Sequence, residues 1–244
     1  MSEALLQVRG VAKSFGAIKA LGPVDLDLGA RERLGIIGPN GSGKTTLINC
    51  ITGFFRPDRG TIVYKGEDIT GEPAYIRARK GLARSFQIPR PFTGMTVLEN
   101  LLVPMDYCIH ASEKTERQRA EAVLQSVGLE GQRDALAETL SQLEQRKLEL
   151  ARALAANPQV LIADEAMAGL SNSEIDDILS LLFALNASGV AVIMIEHIMH
   201  AVMRFSQRVI CLETGRIIAQ AAPAEIVRNP KVQKAYFGEQ AAHR

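Results

Sequence analysis

The sequence has few of the features that mark secreted, metal-binding or membrane-spanning proteins. Its three cysteines, Cys50, Cys108 and Cys211, are far apart and show no C-x-x-C spacing, which argues against a disulfide framework or a zinc site. The first residues lack the basic start and apolar core of a signal peptide, and no apolar run approaches the ~20 residues that span a bilayer. We therefore expect a soluble, cytosolic chain with reduced core cysteines.

The sequence also lacks a strong charge of either sign. Its 244 residues carry a formal net charge of +1, and no long run of like charge interrupts them. This balance gives no electrostatic basis for binding nucleic acid, so no nucleic-acid partner is expected. The length allows one large domain or two small ones, with a sizeable buried core.

One stretch, residues 38–46, matches the phosphate-loop pattern G-x-x-x-x-G-K-[ST] without a mismatch. The pattern of residues 33–37 predicts a buried strand before it, and residues 44–51 predict a helix after it. Glycines in the loop let successive backbone N–H groups turn inward, where the positive end of the helix also favours a polyphosphate. The candidate binding residues are Gly38, Pro39, Asn40, Gly41, Ser42, Gly43, Lys44, Thr45 and Thr46.

Within this loop, Lys44 is expected to reach the β- and γ-phosphates of a nucleotide, and the Thr45 hydroxyl is expected to ligate Mg²⁺. The alternative, a glycine-rich turn without a ligand, is disfavoured because the loop and both flanks match. No N-K-x-D motif follows the loop, which argues against a GTPase.

Alternating apolar residues at 5–15 and 24–28 predict an antiparallel β section before the loop. Phe15 at its end could stack on an adenine or pack in the core, and its position alone leaves both open. After the loop we expect a strand at 61–64, a turn at 65–68, a helix at 73–80 and a strand at 82–86. That last strand ends at Gln87, a side chain that could reach a metal or an attacking water.

From residue 96 to about 156 the pattern becomes helical, which predicts a helical insertion within the α/β sheet. Its last helix begins with Ser141-Gln142-Leu143-Glu144, the pattern of a capping box between Ser141 and Glu144.

An apolar strand at 160–165 ends in two carboxylates. Downstream of a phosphate loop, such acids are typical of the Mg²⁺ half of a nucleotide site, with Asp164 holding the metal through water and Glu165 polarising the attacking water. The alternative is a solvated strand end. A continuous apolar strand at 190–195 precedes His197, which is either structural or placed to touch the γ-phosphate. Ser171 or Ser173 is expected to cap a helix between these two strands, and a final hairpin is expected at 209–219.

In combination and order, these motifs resemble the ATPase domains of ABC transporters over essentially the whole chain. Further details resemble the ATP-binding subunits of branched-chain amino acid importers: residues 38–47, 83–87, 95–100, 168–170, 195–197 and 235–238. The resemblance implies an α/β fold of the P-loop NTPase, ABC-type ATPase class, with a mixed or parallel core sheet, an antiparallel β section and a helical insert. Residues 1–244 then form one domain, with a nucleotide-binding core at about 1–87 and 157–244 and a helical subdomain at about 88–156.

The resemblance also implies residue roles. Phe15 becomes the adenine-stacking residue, Gln87 a metal ligand that senses nucleotide and membrane subunits, Glu165 the general base, and His197 the γ-phosphate switch. Ser141 becomes a contact to the nucleotide of a partner ATPase domain.

The sequence departs from the family pattern in three places. Residues 140–144 read L-S-Q-L-E where the family has L-S-G-G-Q, Ala166 replaces a proline, and Ser171 replaces Asp or Asn. The first departure predicts a heterodimer with unequal sites, because Gln142 and Leu143 put bulk where a phosphate approaches.

The function that the resemblance implies is ATP-driven import, with ATP and Mg²⁺ as cofactors. Its expected partners are two transmembrane permease subunits, a second ATP-binding subunit and, indirectly, an external solute-binding protein. Its expected location is the cytoplasmic face of the bacterial inner membrane. The rival hypothesis is a soluble ABC-type ATPase without a permease, acting as a scaffold or repair factor.

Overall fold

The structure is a computed structural model that describes residues 4–85, 90–108 and 113–237. Gln87 and the glycine that ends the 235–238 motif lie outside these residues. The strands in the described ranges are β1 (Leu6–Phe15), β2 (Ile18–Leu28), β3 (Arg33–Ile37), β4 (Arg59–Tyr64), β5 (Glu67–Asp68), β6 (Leu82–Ser85), β7 (Val160–Asp164), β8 (Ala191–Ile195), β9 (Arg208–Glu213) and β10 (Arg216–Ala221).

The α-helices in the same ranges are α1 (Lys44–Thr52), α2 (Ala74–Arg79), α3 (Val97–Cys108), α4 (Glu113–Val127), α5 (Gln142–Ala155), α6 (Asn172–Ala187), α7 (Met199–Phe205), α8 (Pro223–Ile226) and α9 (Pro230–Phe237). Short 3₁₀ helices at Glu130–Gln132 and Ala137–Thr139 lie between α4 and α5. Of the helices described, none combines the length and hydrophobicity needed to cross a membrane.

The chain forms two compact units, which are described separately. The first comprises Met1–Arg77 and Ala191–Arg244, and the second comprises Ala78–Val190. The division of the chain into a nucleotide-binding core and a helical subdomain at 88–156 stays a prediction.

The first unit contains an antiparallel sheet in the order β2-β1-β4-β5. The expected antiparallel section is therefore present, and β1 and β2 extend to a tight hairpin in which Phe15 pairs with Ile18. The expected turn at 65–68 is wrong in its second half, because Glu67 and Asp68 pair with β4 as a short strand. The turn itself is confined to Lys65 and Gly66, both of which have positive φ.

The same unit holds β3 parallel to both β8 and β9, with β10 antiparallel to β9. Every residue of β8 is buried, as are four of the five residues of β3. Strands buried on both faces read as continuous apolar runs, which is why the sequence predicts these two strands well. Their carboxyl ends deliver the phosphate loop and His197.

The C-terminal end of α1 is fixed by the Arg77 side chain, which is 1% exposed. Its guanidinium donates to the carbonyls of Cys50 and Ile51 at 2.8 and 2.7 Å, and to those of Glu72 and Thr70 at 2.9 and 3.0 Å. Two of these acceptors are carbonyls in the last turn of the helix, which have no partner within it. Arg77 therefore satisfies the buried end of α1 and ties it to the 70–72 segment.

The second unit pairs β6 with β7 in parallel and packs α5 against both strands, with α3 and α4 packed against α5. All five residues of β7 are buried. The apolar face of α5, including Leu148 and Leu150, is buried as well. The strand and helix periodicities of the sequence thus match the observed elements, and the α/β class with mixed sheets is confirmed.

Candidate nucleotide-binding site

The phosphate loop has the backbone that its glycines predict. Gly38, Gly41 and Gly43 have φ values of 152°, 76° and 103°, a region that disfavours residues with a Cβ atom. A Cβ on Gly38 would collide with the Leu212 carbonyl, and one on Gly43 would lie 2.8 Å from the Ala20 carbonyl oxygen. A Cβ on Gly41, in contrast, would meet nothing within 4 Å. The loop therefore packs closely on one side and is open at Gly41.

The N-terminus of α1 is open to a ligand. Its cap, Gly43, supplies no side-chain acceptor, so the cap position makes no side-chain hydrogen bond to the first turn in the part of the chain that the structure describes. Ser42 is 2% exposed, and its buried hydroxyl has no hydrogen-bond partner among the described residues. A buried, unsatisfied hydroxyl beside uncapped N–H groups fits the oxygens of a phosphate chain. These features are consistent with a polyphosphate ligand.

Lys44, which is 6% exposed, folds back onto its own loop. Its Nζ donates to the carbonyl oxygens of Gly38 and Pro39 at 2.7 and 3.1 Å. The ammonium is thus held inside the loop by neutral acceptors, which a phosphate anion would outcompete because charge-assisted bonds are stronger. Thr45 is exposed, so its hydroxyl is accessible for the expected Mg²⁺ contact; Thr46 is half-buried and Asn40 is exposed.

His197 lies at the same edge of the first unit's parallel strands as the loop. β3 and β8 run in parallel with Ile36 opposite Ile195, and Gly38 and His197 each follow two residues later. His197 is exposed, whereas the neighbouring Glu196 is 2% exposed. The fold thus brings the imidazole to the end of the sheet where the phosphate loop begins.

Phe15 is 43% exposed, so it is not a core residue. Its ring meets the edge of Phe55 at a centroid distance of 5.1 Å, and the Lys13 ammonium lies 5.7 Å from the Phe15 ring centre. The hairpin end that carries Phe15 also carries Ala20, whose carbonyl lies against the phosphate loop. An exposed aromatic face near this loop is suited to stacking on a base.

The acid pair lies in the second unit. Asp164 ends β7 and is 5% exposed, and its carboxylate accepts from Arg84 Nη2 of β6 at 2.6 Å. Glu165, directly after the strand, is half-buried and has φ of 49°, a left-handed conformation uncommon for a residue with a side chain. Such backbone strain clusters at functional sites. The carboxylate pair is therefore held in a built conformation, not left as a frayed strand end.

The expected capping box at Ser141 is present. The Ser141 Oγ accepts from the Glu144 N–H at 3.3 Å, and the Glu144 carboxylate accepts from the Ser141 N–H at 2.8 Å. The pKa of Glu144 is lowered by the hydrogen bond from the Ser141 N–H to its carboxylate and, second, by a hydrogen bond from the Ser141 side chain. At α6, Ser171 rather than Ser173 is the cap, and it forms the same box with Glu174.

The first turns of α5 lie against the loop at 165–170, within the second unit. The buried Arg146 donates to the Ala168 carbonyl at 3.0 Å. The Gln142 amide nitrogen lies so close to Gly169 that a Cβ there would be 2.7 Å from it. The bulky residue that replaces the family's first glycine therefore contacts a loop of its own unit.

Two contacts of the expected site residues have no signal in the sequence. Tyr236 of α9 meets the loop at Gly38, and Arg84 of β6 meets Asp164, at separations of 198 and 80 residues. Both depend on tertiary proximity, although the Tyr236 motif resembles that of the importer family. Gln87, the remaining expected site residue, lies outside the described residues.

Comparisons with known proteins agree with this geometry. Residues 21–168 match the sequence model of the ABC transporter family, and residues 216–242 match that of the branched-chain amino acid ATP-binding cassette transporter. The chain is 38% identical to the high-affinity branched-chain amino acid transport ATP-binding protein BraF of Pseudomonas aeruginosa, with 98% of this chain and 100% of the relative covered.

Solved structures agree as well. An ATP-binding cassette of an ABC transporter in its ADP conformation is 32% identical, with a TM-score of 0.89 and coverage of 98% of this chain and 100% of the other. A dimeric cassette bound to ADP and Pi is 28% identical, with a TM-score of 0.80 and coverage of 89% and 98%. Together with the phosphate loop and the acid pair, these matches show that the chain belongs to the ABC transporter family, as one of its ATP-hydrolysing ATP-binding cassettes.

Proposed function

We propose that this chain is the ATP-binding and ATP-hydrolysing subunit of an importer for branched-chain or other amino acids. The proposal that the chain binds ATP rests on one observation: α1 starts without a side-chain cap, beside the buried, unsatisfied hydroxyl of Ser42. The amino-acid part rests on the match of residues 216–242 to the branched-chain family. In this proposal the solute is bound by the permease and the external binding protein, not by this chain.

In this proposal the phosphate loop binds the phosphate chain of ATP, with Lys44 exchanging its carbonyl acceptors for the β- and γ-phosphates. The backbone N–H groups of Gly41, Gly43 and the start of α1 would donate to the phosphates, and Phe15 would stack on the base. The exposed ring of Phe15 supports the stacking role. Thr45 would supply a hydroxyl ligand to Mg²⁺, which when bound neutralises part of the phosphate charge.

The remaining roles fall to groups at strand ends. Asp164 would hold Mg²⁺ through water, with its carboxylate oriented by Arg84. Glu165 would accept a proton from the attacking water, and His197 would donate to the γ-phosphate. Gln87, which has no described structure, is proposed as the residue that senses both nucleotide and membrane subunits.

Glu165→Gln tests the catalytic part. The amide keeps the shape of the side chain but cannot accept the proton of water, so turnover should fall by about 10²- to 10⁴-fold. ATP affinity should stay within about twofold, because the phosphate loop is unchanged. Steady-state phosphate release and equilibrium ATP binding separate the two quantities. Hydrolysis at the wild-type rate would place the base elsewhere.

The permease partnership is supported by exposed apolar side chains in the second unit. Met95 and Leu136 are 38% and 41% exposed, and they are neighbours because Thr96 bridges to Leu136 and Ala137 bonds to the Met95 carbonyl. Other exposed apolar residues of this unit are Phe92, Val103 and Tyr107. We propose that the surface around Met95 and Leu136 docks on transmembrane subunits at the cytoplasmic face of a bacterial inner membrane, with a solute-binding protein acting outside.

Affinity capture distinguishes this proposal from a soluble ABC-type ATPase without a permease. The tagged chain, expressed in its own organism or together with its two candidate permeases, should recover both of them from detergent extracts. The double variant Met95→Ser with Leu136→Ser should recover much less while binding ATP normally. The matched control, Val227→Ser, changes an exposed apolar residue of the first unit. If no permease is recovered with the wild-type chain, the soluble alternative is favoured.

The altered signature at 140–144 leads us to propose a heterodimer with unequal nucleotide sites. Ser141 is engaged in capping its own helix, and Gln142 contacts Gly169 of its own unit. A partner's phosphate would meet side chains at 142 and 143 where glycine permits close approach. Losing one or two buried hydrogen bonds, at about 1–3 kcal/mol each, would weaken closure over that phosphate by roughly tenfold or more.

Replacing Gln142 and Leu143 by glycine tests the heterodimer. The purified chain alone should hydrolyse ATP poorly, and the double-glycine variant should be several-fold faster and more cooperative. Equal, brisk and cooperative hydrolysis by both forms would contradict the proposal. The resting affinity for ATP, measured at low protein concentration, should be the same in both forms because their own phosphate loops are identical.

A further inference from the structure

The phosphate loop is held by a side chain from the far end of the described chain. The Gly38 N–H donates to the Tyr236 hydroxyl oxygen at 2.6 Å. Tyr236 is half-buried on α9, and its burial raises the pKa of the phenol to about 12. The phenol is therefore neutral at physiological pH and accepts this bond as a fixed dipole.

A second contact from the C-terminal segment supports the other end of the loop. The Gly215 N–H, in the turn between β9 and β10, donates to the Ser42 carbonyl at 2.8 Å. The Leu212 carbonyl fills the space beside Gly38 where a Cβ would otherwise lie. The segment from 212 to 236 thus contacts the loop at both ends and leaves Gly41 open.

Lys44 holds the same glycine from its other side, through the Gly38 carbonyl. The N–H and the carbonyl of Gly38 belong to two successive peptide groups, so Tyr236 fixes the first and Lys44 fixes the second. When Lys44 turns to a phosphate, the second peptide loses its donor. The bond to Tyr236 does not involve Lys44 and can persist, so it keeps the loop from rearranging at that moment.

We propose that Tyr236 is a positioning residue for phosphate binding, whose hydroxyl fixes the Gly38 peptide while Lys44 moves from the loop to the nucleotide. This inference rests on the nucleotide site proposed at residues 38–46. It makes the C-terminal helix part of the phosphate-binding apparatus of this chain.

Tyr236→Phe tests the inference, because it removes the hydroxyl and keeps the ring. Freeing the Gly38 peptide should lower the fraction of the nucleotide-free loop that is ready to bind phosphate, and a fall to about one third to one tenth predicts about a three- to tenfold rise in the Kd for ATP and for ADP. The amide of Gly38 should exchange its hydrogen faster in the nucleotide-free protein, since it loses its acceptor. Tyr75→Phe, at an exposed tyrosine of the same unit, is the matched control and should change neither quantity.

The thermal midpoint of the nucleotide-free protein separates positioning from simple helix anchoring. We expect it to change by less than about 3 °C in Tyr236→Phe. A drop above about 5 °C, with faster exchange throughout α9, would identify the hydroxyl as a structural contact and overturn the proposal. Unchanged ATP affinity in Tyr236→Phe, while Lys44→Ala loses binding, would also overturn it and leave the nucleotide site standing. Retained affinity in Lys44→Ala would instead refute the site itself.

Discussion

Two helices of this chain begin in opposite ways. α1 starts after Gly43 with no side-chain cap, and the neighbouring Ser42 hydroxyl is buried without a partner among the described residues. α5 starts at Ser141 with a complete capping box, so its first N–H groups are satisfied from within. A helix that leaves its donors unsatisfied loses stability that a ligand can restore, whereas a capped helix gains stability at once. The comparison indicates that α1 is built to bind and α5 to stay folded.

The largest expected effect is at the open helix. Lys44→Ala removes several charge-assisted contacts to phosphate, each contributing about 1.5–3 kcal/mol, and should weaken ATP binding by about two orders of magnitude or more. Lys147→Ala, at a lysine of α5, is the control and should leave affinity unchanged. Calorimetry or fluorescence titration of ATP measures both. Equal ATP affinities in the two variants would contradict the inference that α1, and not α5, binds the phosphates.

A smaller effect is expected for Ser42→Ala. The substitution deletes a buried hydroxyl that has no partner in the described protein, so the free energy of unfolding of the nucleotide-free chain should stay constant or rise by up to about 1 kcal/mol. ATP affinity should fall about three- to tenfold, because a phosphate oxygen loses a donor. Denaturant titration and ATP titration of the same samples test whether ATP affinity falls while the free energy of unfolding does not. A destabilised chain with normal affinity would show that the hydroxyl is structural.

A serine-to-alanine change at the capped helix should instead lower stability and leave ATP affinity unchanged. Ser141→Ala removes the capping oxygen and should lower the free energy of unfolding by about 1 kcal/mol, or the thermal midpoint by roughly 2–4 °C. The ATP affinity of the monomeric chain should not change, since the family resemblance assigns this serine to a partner's nucleotide. Reduced ATP affinity in the monomer would mean that α5 also serves this chain's own site.

The smallest effect concerns pH. Hydrogen bonds from Ser141 lower the pKa of Glu144 below its usual value, so the ionised carboxylate stabilises the fold above the unfolded pKa of about 4.3. This contribution is lost as the pH falls through the lowered folded pKa. Glu144→Gln should therefore be slightly less stable than wild type at pH 7, by less than about 1 kcal/mol because the carboxylate is screened by water.

The stability gap between Glu144→Gln and wild type should close as the pH is lowered towards 3. Thermal midpoints across pH 7 to 3 check this, with Glu138→Gln, at an exposed glutamate outside any capping box, as the control. A gap that is constant across the range would show that the charge of Glu144 contributes nothing to the cap.

The sequence predicts the contacts whose partners are close together in the chain. It does not predict the contacts between residues that are far apart in the chain. The capping box at Ser141 and the loop before α1 are visible because their partners lie within a few residues. The bonds of Tyr236 to Gly38 and of Arg84 to Asp164 join elements far apart in the chain, so no periodicity reveals them. The left-handed backbone of Glu165 is likewise invisible, because nothing in a glutamate at a strand end predicts a positive φ.

The interiors of strands are likewise predicted better than their ends. The cores of β7 and β8 are predicted from their apolar runs, but the sequence places Glu165 within its strand, which the structure ends at Asp164. Glu67 and Asp68 read as turn residues, yet pairing with β4 draws them into a strand. Tertiary hydrogen bonding overrides local preference at both places.

The hydrogen bonds of Arg77 make the two ends of α1 unequal in stability. Its guanidinium binds the carbonyls of the last turn, so that end cannot fray without exposing a buried cation and several buried acceptors. We therefore expect opening of the helix to begin at Gly43, the end proposed to bind phosphate. Nucleotide binding should then stabilise the less stable end of α1, because Arg77 already holds the other end. We expect it to slow hydrogen exchange at the loop and to leave the exchange rates in the last turn of α1 unchanged.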